Sequence, residues 1–237
     1  MLVLAIDTSG EVCTVALVDD TGLMSQIVFR HKMDLLRRLM PNVQRLISDC
    51  GTSIEQLDAV AVSLGPGSFT GLRVGVATAK SLAYAAGRKI FGIPTMDALA
   101  AGITAQTGDY IAPLTVARPG EVYDAIYRQE NEGLSRIAPE SSHPIEEFLE
   151  SLLGRAPRRV VFCGSGARAN AAVIKERLGP GAVLAPEWAD HPRGEILGRL
   201  ALDRLAAGES DDVMGIAPLY VRRPTPEIRM EDRARVG

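Results

Sequence analysis

The order of apolar runs along the chain predicts an α/β protein of two similar units, each a mixed sheet with flanking helices. Three observations carry this. The chain opens with three apolar or β-branched runs joined by short turns, which reads as an antiparallel meander. Short strands then alternate with segments of helical periodicity. From about residue 108 a similar succession begins again. No identity between the halves is visible, so the repetition rests on element order alone. The expected division is 1–106 and 107–237, with the second unit smaller and ending in a tail.

Leu2 to Ile6 is a continuous apolar run ended by Asp7-Thr8-Ser9-Gly10, a buried strand entering a polar turn. Val12 to Val18 is the second strand. Asp19-Asp20-Thr21-Gly22 turns it into a third, Leu23 to Phe29. Between Asp34 and Cys50, Leu35, Leu36, Leu39, Met40, Val43, Leu46 and Ile47 recur at helical spacing, and Gly51 stands where a C-terminal cap belongs. Pro41 should bend or offset that helix. Ala59 to Leu64 reads as a strand, Gly65 to Thr70 as a loop and Gly71 to Ala86 as a helix ending at Gly87. Ile90 to Ile93 is a strand, followed by a helix from about Met96. In the second half Ile111–Val116, Val122–Arg128 and Val160–Cys163 read as strands. Ile145–Leu153, a segment from Gly164 to Leu178, and Gly194–Ala207 read as helices. The tail from Pro224 reads as exposed.

The composition is that of an ordinary globular protein: 237 residues, 46% apolar, 23% charged, net charge −3. It argues against disorder, and the slight acidity argues against broad contact with a phosphate backbone. Cys13, Cys50 and Cys163 are far apart and form no CxxC, so a disulfide framework or cysteine zinc site is not expected. MLVLAIDTSG lacks a basic n-region and reads as a buried strand rather than a signal peptide. No apolar run approaches the roughly 18 residues of a spanning helix. A cytoplasmic protein that does not engage a membrane is expected.

Ser63 to Ala83, SLGPGSFTGLRVGVATAKSLA, is the most specific stretch: strand, flexible loop, helix start. Gly65, Gly67 and Gly71 admit close approach of a ligand or of another backbone. Ser68 or Thr70 can cap the helix and offer a hydroxyl to an anion. No GK[ST] follows and no GxGxxG is present, so neither standard phosphate loop applies, and a tight turn closing a packed helix explains the stretch equally well. Asp7, Thr8 and Ser9 form a second candidate, a carboxylate and two hydroxyls at a turn, with an Asx-type turn as the plain alternative. Gly164-Ser165-Gly166 could admit an adenosine or be a tight turn. These residues (Asp7, Thr8, Ser9, Gly65, Gly67, Ser68, Gly164 and Gly166) are the candidates for a vestigial nucleotide site.

His31, His143 and His191 are isolated, with no HxxxH or HExxH, and no GxSxG elbow exists. Each histidine reads as a surface or capping residue. No catalytic residue and no metal site is expected.

Taken together, IDTS (Ile6–Ser9), LGPGSFTGLRVG (Leu64–Gly75), GIPTMDALA (Gly92–Ala100), GEVYDAIY (Gly120–Tyr127) and PLYVRR (Pro218–Arg223) resemble the TsaB (YeaZ) family. LGPGSFTGLRVG is the highly specific piece. The resemblance implies the fold shared by actin, Hsp70 and sugar kinases. It implies an accessory role in placing threonylcarbamoyl on adenosine 37 of transfer RNAs that read ANN codons. It also implies pairing with the catalytic TsaD, recruitment of the ATPase TsaE, homodimerisation when TsaD is absent, and only indirect contact with transfer RNA. TsaD carries a metal-binding HxxxH after the strand equivalent to Ile90–Ile93, and by element order those histidines fall near Thr95 and Leu99. Relatives often read DAR before the EVY strand, where this chain has Val116, Ala117 and Arg118. No cofactor is expected beyond a weak, vestigial hold on nucleotide. The competing expectation is an ATP-dependent kinase or acyltransferase of the same fold.

Gly71, Gly75, Ala79 and Ala83 fall four apart and leave one helix stripe nearly bare. The stripe could pack on its own sheet or receive a second subunit. The paired apolar positions of the Asp34–Cys50 helix give a broad apolar face. The expected partner interface is therefore Leu36, Met40, Val43, Ile47, Gly71, Leu72, Gly75, Ala79 and Ala83.

Overall fold

The computed structural model describes residues 1–31 and 34–221. Strands β1 (Leu2–Asp7), β2 (Val12–Asp19) and β3 (Gly22–Arg30) form the antiparallel meander, with Asp7 opposite Thr14 and Thr14 opposite Val28. Asp19 closes the β2–β3 turn by accepting from the backbone N–H of Thr21 at 2.8 Å and from its hydroxyl at 2.6 Å. Helix α1 (Leu35–Asp49), β4 (Ala59–Gly65), α2 (Phe69–Ala86), β5 (Lys89–Pro94) and α3 (Thr95–Ala101) complete the first half. Strands β4 and β5 run parallel beside β1, giving the order β3-β2-β1-β4-β5.

The second half contains β6 (Tyr110–Arg118), β7 (Glu121–Glu130), β8 (Gly133–Pro144), α4 (Ile145–Leu153), β9 (Val160–Cys163), α5 (Ser165–Ala169), α6 (Ala171–Leu178), β10 (Ala182–Leu184) and α7 (Gly194–Ala206). Its sheet order, β10-β9-β6-β7-β8, is that of the first sheet with each strand replaced by the one five later. The repetition inferred from element order is thus present in the topology.

Two layers cover the first sheet. On one face Leu4, Ile6, Val15, Leu17, Val60 and Val62 meet the buried stripes of α1 and α2. On the other, small residues dominate: Ala5, Ala16, Val18, Ala59 and Ala61 form a low floor under Leu197, Ala201 and Leu202 of α7. Gly198 lets α7 settle there, since a Cβ on it would stand under 3.0 Å from the Val18 side chain. Helix α7 therefore joins the first sheet although it lies within residues 107–237. A helix with two bare positions fits a floor of alanines, and the chain crosses back to it.

Local differences from the sequence reading have local causes. Helix α2 begins at Phe69 rather than Gly71, because the Ser68 hydroxyl caps it by accepting from the Gly71 N–H at 3.2 Å. The single helix expected up to Leu178 is two, broken at Asn170, whose side-chain amide donates to the Gly166 carbonyl at 2.8 Å. Strand β8 carries no periodic signature in the sequence, because Pro139 and a run of polar residues mask it. It is an edge strand with register irregularities, where proline is tolerated. Three-residue β10 is too short for any periodicity to show. The tail from Pro224 lies outside the described residues.

Candidate functional site

Two turns meet at the carboxyl ends of β1 and β4, the place where open α/β sheets hold ligands. The polar turn Thr8-Ser9 leaves β1, and the loop Gly65–Ser68 leaves β4 to start α2. A hydrogen bond from the Ser68 N–H to the Ser9 carbonyl (2.7 Å) ties them together. Three glycines spaced four apart explain how closely they approach. A Cβ on Gly67 would come under 3.0 Å from the Ser9 carbonyl oxygen. On Gly71 it would crowd the Thr8 carbonyl oxygen, and on Gly75 the Thr8 hydroxyl. That hydroxyl donates back to the Gly71 carbonyl at 2.8 Å. The bare stripe, extended N-terminally to Gly67, is therefore filled by the protein's own β1–β2 turn.

The expected partner interface is corrected by this packing. Gly65, Gly67 and Ser68 serve backbone-to-backbone packing and helix capping. At Gly65 the backbone lies at φ +110°, and an added Cβ would meet the side chain of Leu72 and the Leu219 carbonyl. Gly71, Leu72, Gly75, Ala79 and Ala83 are buried within the first half, so none of them presents a surface to a partner. Helix periodicity reveals a bare stripe but not which neighbour fills it. On α1, Val43 and Ile47 are likewise core residues, whereas Leu36 is 76% exposed and Met40 half-buried. Leu36 and Met40 remain as interface candidates.

The second half repeats the device. Gly164, at φ +90°, follows β9, and a Cβ there would strike the Leu114 carbonyl of β6. One on Gly166 would strike the backbone of Leu114 and Thr115. Here too glycine admits a close approach of backbone to backbone. Val116, in the segment where relatives often carry an aspartate, is half exposed and apolar. Arg118 pairs with Glu121 across the β6–β7 turn.

Asp7 and Thr14 face the same side of the sheet as register partners, and Ser63 stands beside Asp7 on β4. Asp7 is fully buried. Desolvation pushes its carboxyl up to about 6, and the Ser63 hydroxyl and the Ser9 N–H, 3.2 Å from Oδ1, pull it back only in part. Among the described residues the hydroxyls of Thr14 and Thr95 have no hydrogen-bond partner. Thr95 and Leu99, the positions matched to the TsaD histidines, are both buried. Among the described residues no group of three or more His, Cys, Asp or Glu is placed to hold a metal ion. Likewise among the described residues, no helix is long and apolar enough to cross a membrane.

One arrangement escaped sequence reading. His143 Nδ1 lies 2.9 Å from Asp124 Oδ2, and its Nε2 lies 3.3 Å from the Ser141 hydroxyl. Burial raises the Asp124 carboxyl, and the His143 partner counters this. His143 is thus the cap on a buried carboxylate across β7 and β8. The missing signal was β8 itself, without which His143 has no register.

Two sheets of identical order, each with a glycine turn closing on the end of its first strand, define the fold class shared by actin, Hsp70 and sugar kinases. The activator of 2-hydroxyisocaproyl-CoA dehydratase from Clostridium difficile shares this fold, with a TM-score of 0.51 over 90% of this chain and 99% of that one at 10% identity. Within that class the chain belongs to the TsaB (YeaZ) family. It is 31% identical to the tRNA threonylcarbamoyladenosine biosynthesis protein TsaB of Bacillus subtilis over 97% of both chains. It is 32% identical to the protein of the same description from Escherichia coli, over 94% of this chain and 95% of that one. YeaZ from Pseudomonas aeruginosa superposes with a TM-score of 0.75 at 27% identity, covering 92% of this chain and 99% of that one. The family model of TsaD, tRNA N6-adenosine threonylcarbamoyltransferase, matches residues 30–229.

Proposed function

We propose that this chain serves the formation of threonylcarbamoyladenosine on transfer RNA as an accessory subunit with no turnover of its own. The likeness to TsaB proteins along nearly the whole chain carries this reading. In its role the chain pairs with a TsaD-like catalytic partner, recruits TsaE, and pairs with itself when TsaD is absent. It meets transfer RNA only through the complex, in the cytoplasm, which fits a net charge of −3. One feature supports the absence of turnover: the positions that element order sets against the TsaD metal ligands are a threonine, Thr95, and a leucine, Leu99. The two units meet near residue 107, with α7 lent to the first. The partner face is the outer side of α1 around Leu36 and Met40.

The test is depletion of the protein in a cell lacking a paralogue, followed by measurement of threonylcarbamoyladenosine in bulk transfer RNA. Unchanged levels overturn the proposal. Assays of the purified chain with and without TsaD, TsaE and ATP separate it from a kinase or acyltransferase. Turnover by the isolated chain at about 1 per second or more would establish an enzyme instead.

A further inference from the structure

Helices α3 and α7 are exchanged between the two units. Helix α3 closes the first half of the sequence, yet its Met96, Leu99 and Ala100 are buried against the second sheet. There they meet Ile111 of β6, Ala125 and Tyr127 of β7, and Val161 and Cys163 of β9. Helix α7 lies in the second half and covers the first sheet. The outer face of each sheet is covered by helices of its own half, α1 and α2 on the first, α4 and α6 on the second. The inner face of each is closed chiefly by a helix of the other half. The two exchanged helices lie side by side, and Ala98 of α3 reaches the alanine floor of the first sheet.

A polar cluster pins α3 to the second sheet. Asp97 accepts from the Tyr127 hydroxyl at 2.6 Å and also from the Arg136 guanidinium of β8. Arg136 donates to Glu140 as well, at 3.0 Å, and lies 5.7 Å from the Tyr127 ring centroid. Tyr127 and Arg136 are register partners across β7 and β8. Tyr127 is buried, so its hydroxyl has no water to turn to if Asp97 withdraws. A carboxylate from the first half of the sequence is thus the acceptor on which two side chains of the second sheet depend.

Opening either unit removes a wall of the other. If the first sheet parts, α7 loses its floor and α3 is pulled from its place beside β4 and β5. If the second sheet parts, Met96, Leu99 and Ala100 are bared and Asp97 loses both donors. Each event exposes apolar surface on both sides of the central helix layer.

We propose that the exchanged helices lock the two units into a single cooperative body, with Asp97 as its latch, so that neither sheet opens while the other stays folded.

Native-state amide exchange on the full chain tests this. The amides of Leu4, Ala5 and Ile6 on β1 and of Ile111, Ala112 and Val161 on β6 and β9 should share one opening reaction. Their protections should agree within about threefold and fall together as urea is raised. Asp97→Ala should lower both sets by one common factor, roughly tenfold or more, as expected for lost hydrogen bonds to a charged group. Where that variant does not fold, Asp97→Asn keeps an acceptor for the Tyr127 hydroxyl and should give a smaller loss, equally shared. Three outcomes overturn the proposal: one sheet of the parent exchanging through an opening that spares the other, a loss confined to α3, β7 and β8, or protection unchanged in both sheets. The second would make Asp97 a local tether between independent units.

Discussion

Gly75 lies against Thr8 so closely that a Cβ at position 75 would stand under 3.0 Å from the threonine hydroxyl. The contact joins the fourth residue after the Gly71 turn to the first residue beyond the Asp7 carboxylate. It makes the motif from Leu64 to Gly75 a clasp between α2 and the end of β1. Substituting Gly75 with alanine in an isolated helix would gain about 1 kcal/mol. Here overpacking should dominate, and Gly75→Ala should lose roughly 1–3 kcal/mol in urea denaturation. Adding Thr8→Ala should recover part of the loss, which a double-mutant cycle measures as a coupling of about 1 kcal/mol. Purely additive losses would mean that the two side chains do not compete for one space.

Asp7 gives the stability a pH signature. Its carboxyl is pushed up to about 6 by burial, above the 3.8 of a free aspartate. Between those values the folded protein holds the proton that the unfolded chain has already released. Stability from this group is therefore greatest below about pH 4, falls as pH rises to about 6, and is flat above. Ionised Asp7 costs on the order of 3 kcal/mol at neutral pH, at 1.36 kcal/mol per pKa unit. Asp7→Asn, which keeps the acceptor for the Ser9 N–H, should match the parent near pH 4 and exceed it by about 2–3 kcal/mol at pH 7.5. A difference between variant and parent that does not vary with pH would place the titrating proton elsewhere.

Leu36, at 76% exposure, tests the partner face. Leu36→Asp should leave the thermal midpoint within about 2 °C of the parent, since exposed substitutions rarely exceed 0.5 kcal/mol. In sedimentation it should abolish self-association and reduce capture by a TsaD-like partner. A folded variant that assembles as the parent does would remove α1 from the interface.

His143 should matter through Asp124 rather than through Ser141. Removing the imaginable third member, Ser141→Ala, should change stability by less than about 0.5 kcal/mol. His143→Ala strands a carboxylate that is only 4% exposed and should lose roughly 1–3 kcal/mol in the same denaturation experiment. Equal effects of the two substitutions would contradict the capping role.

Legibility in the sequence followed the range of the forces involved. The meander could be read because Leu2–Ile6 and Val12–Val18 are continuous apolar runs and Asp19-Asp20-Thr21-Gly22 is turn chemistry. Helix α1 could be read because Leu35, Leu39, Val43 and Leu46 repeat at its own period. Strand β8 could not, since Pro139 and Ser141-Ser142-His143 carry no alternation and an edge strand demands little. The candidate turns at Asp7–Ser9 and Gly65–Ser68 were each visible as polar or glycine-rich punctuation. Their mutual contact was not, because nothing in either segment names the other. A bare stripe such as Gly71–Gly75–Ala79–Ala83 reports that something lies close, and only the tertiary structure identifies it as Thr8. A cavity lined by Thr14 and Trp188 likewise joins residues from the two halves, beyond any local pattern.

The crossing of α7 to the first sheet sets an order of events during translation. Strand β5 ends at Pro94, and by then every strand of the first sheet has been made. The alanine floor formed by Ala5, Ala16, Ala59 and Ala61 receives Leu197 and Ala201 only after about a hundred further residues have been added. At roughly 5–20 residues per second that interval lasts on the order of 5–20 s. For that time only α3, through Ala98, covers that face of the nascent first half, and the ribosome must deliver nearly the whole polypeptide before its oldest strands are sealed.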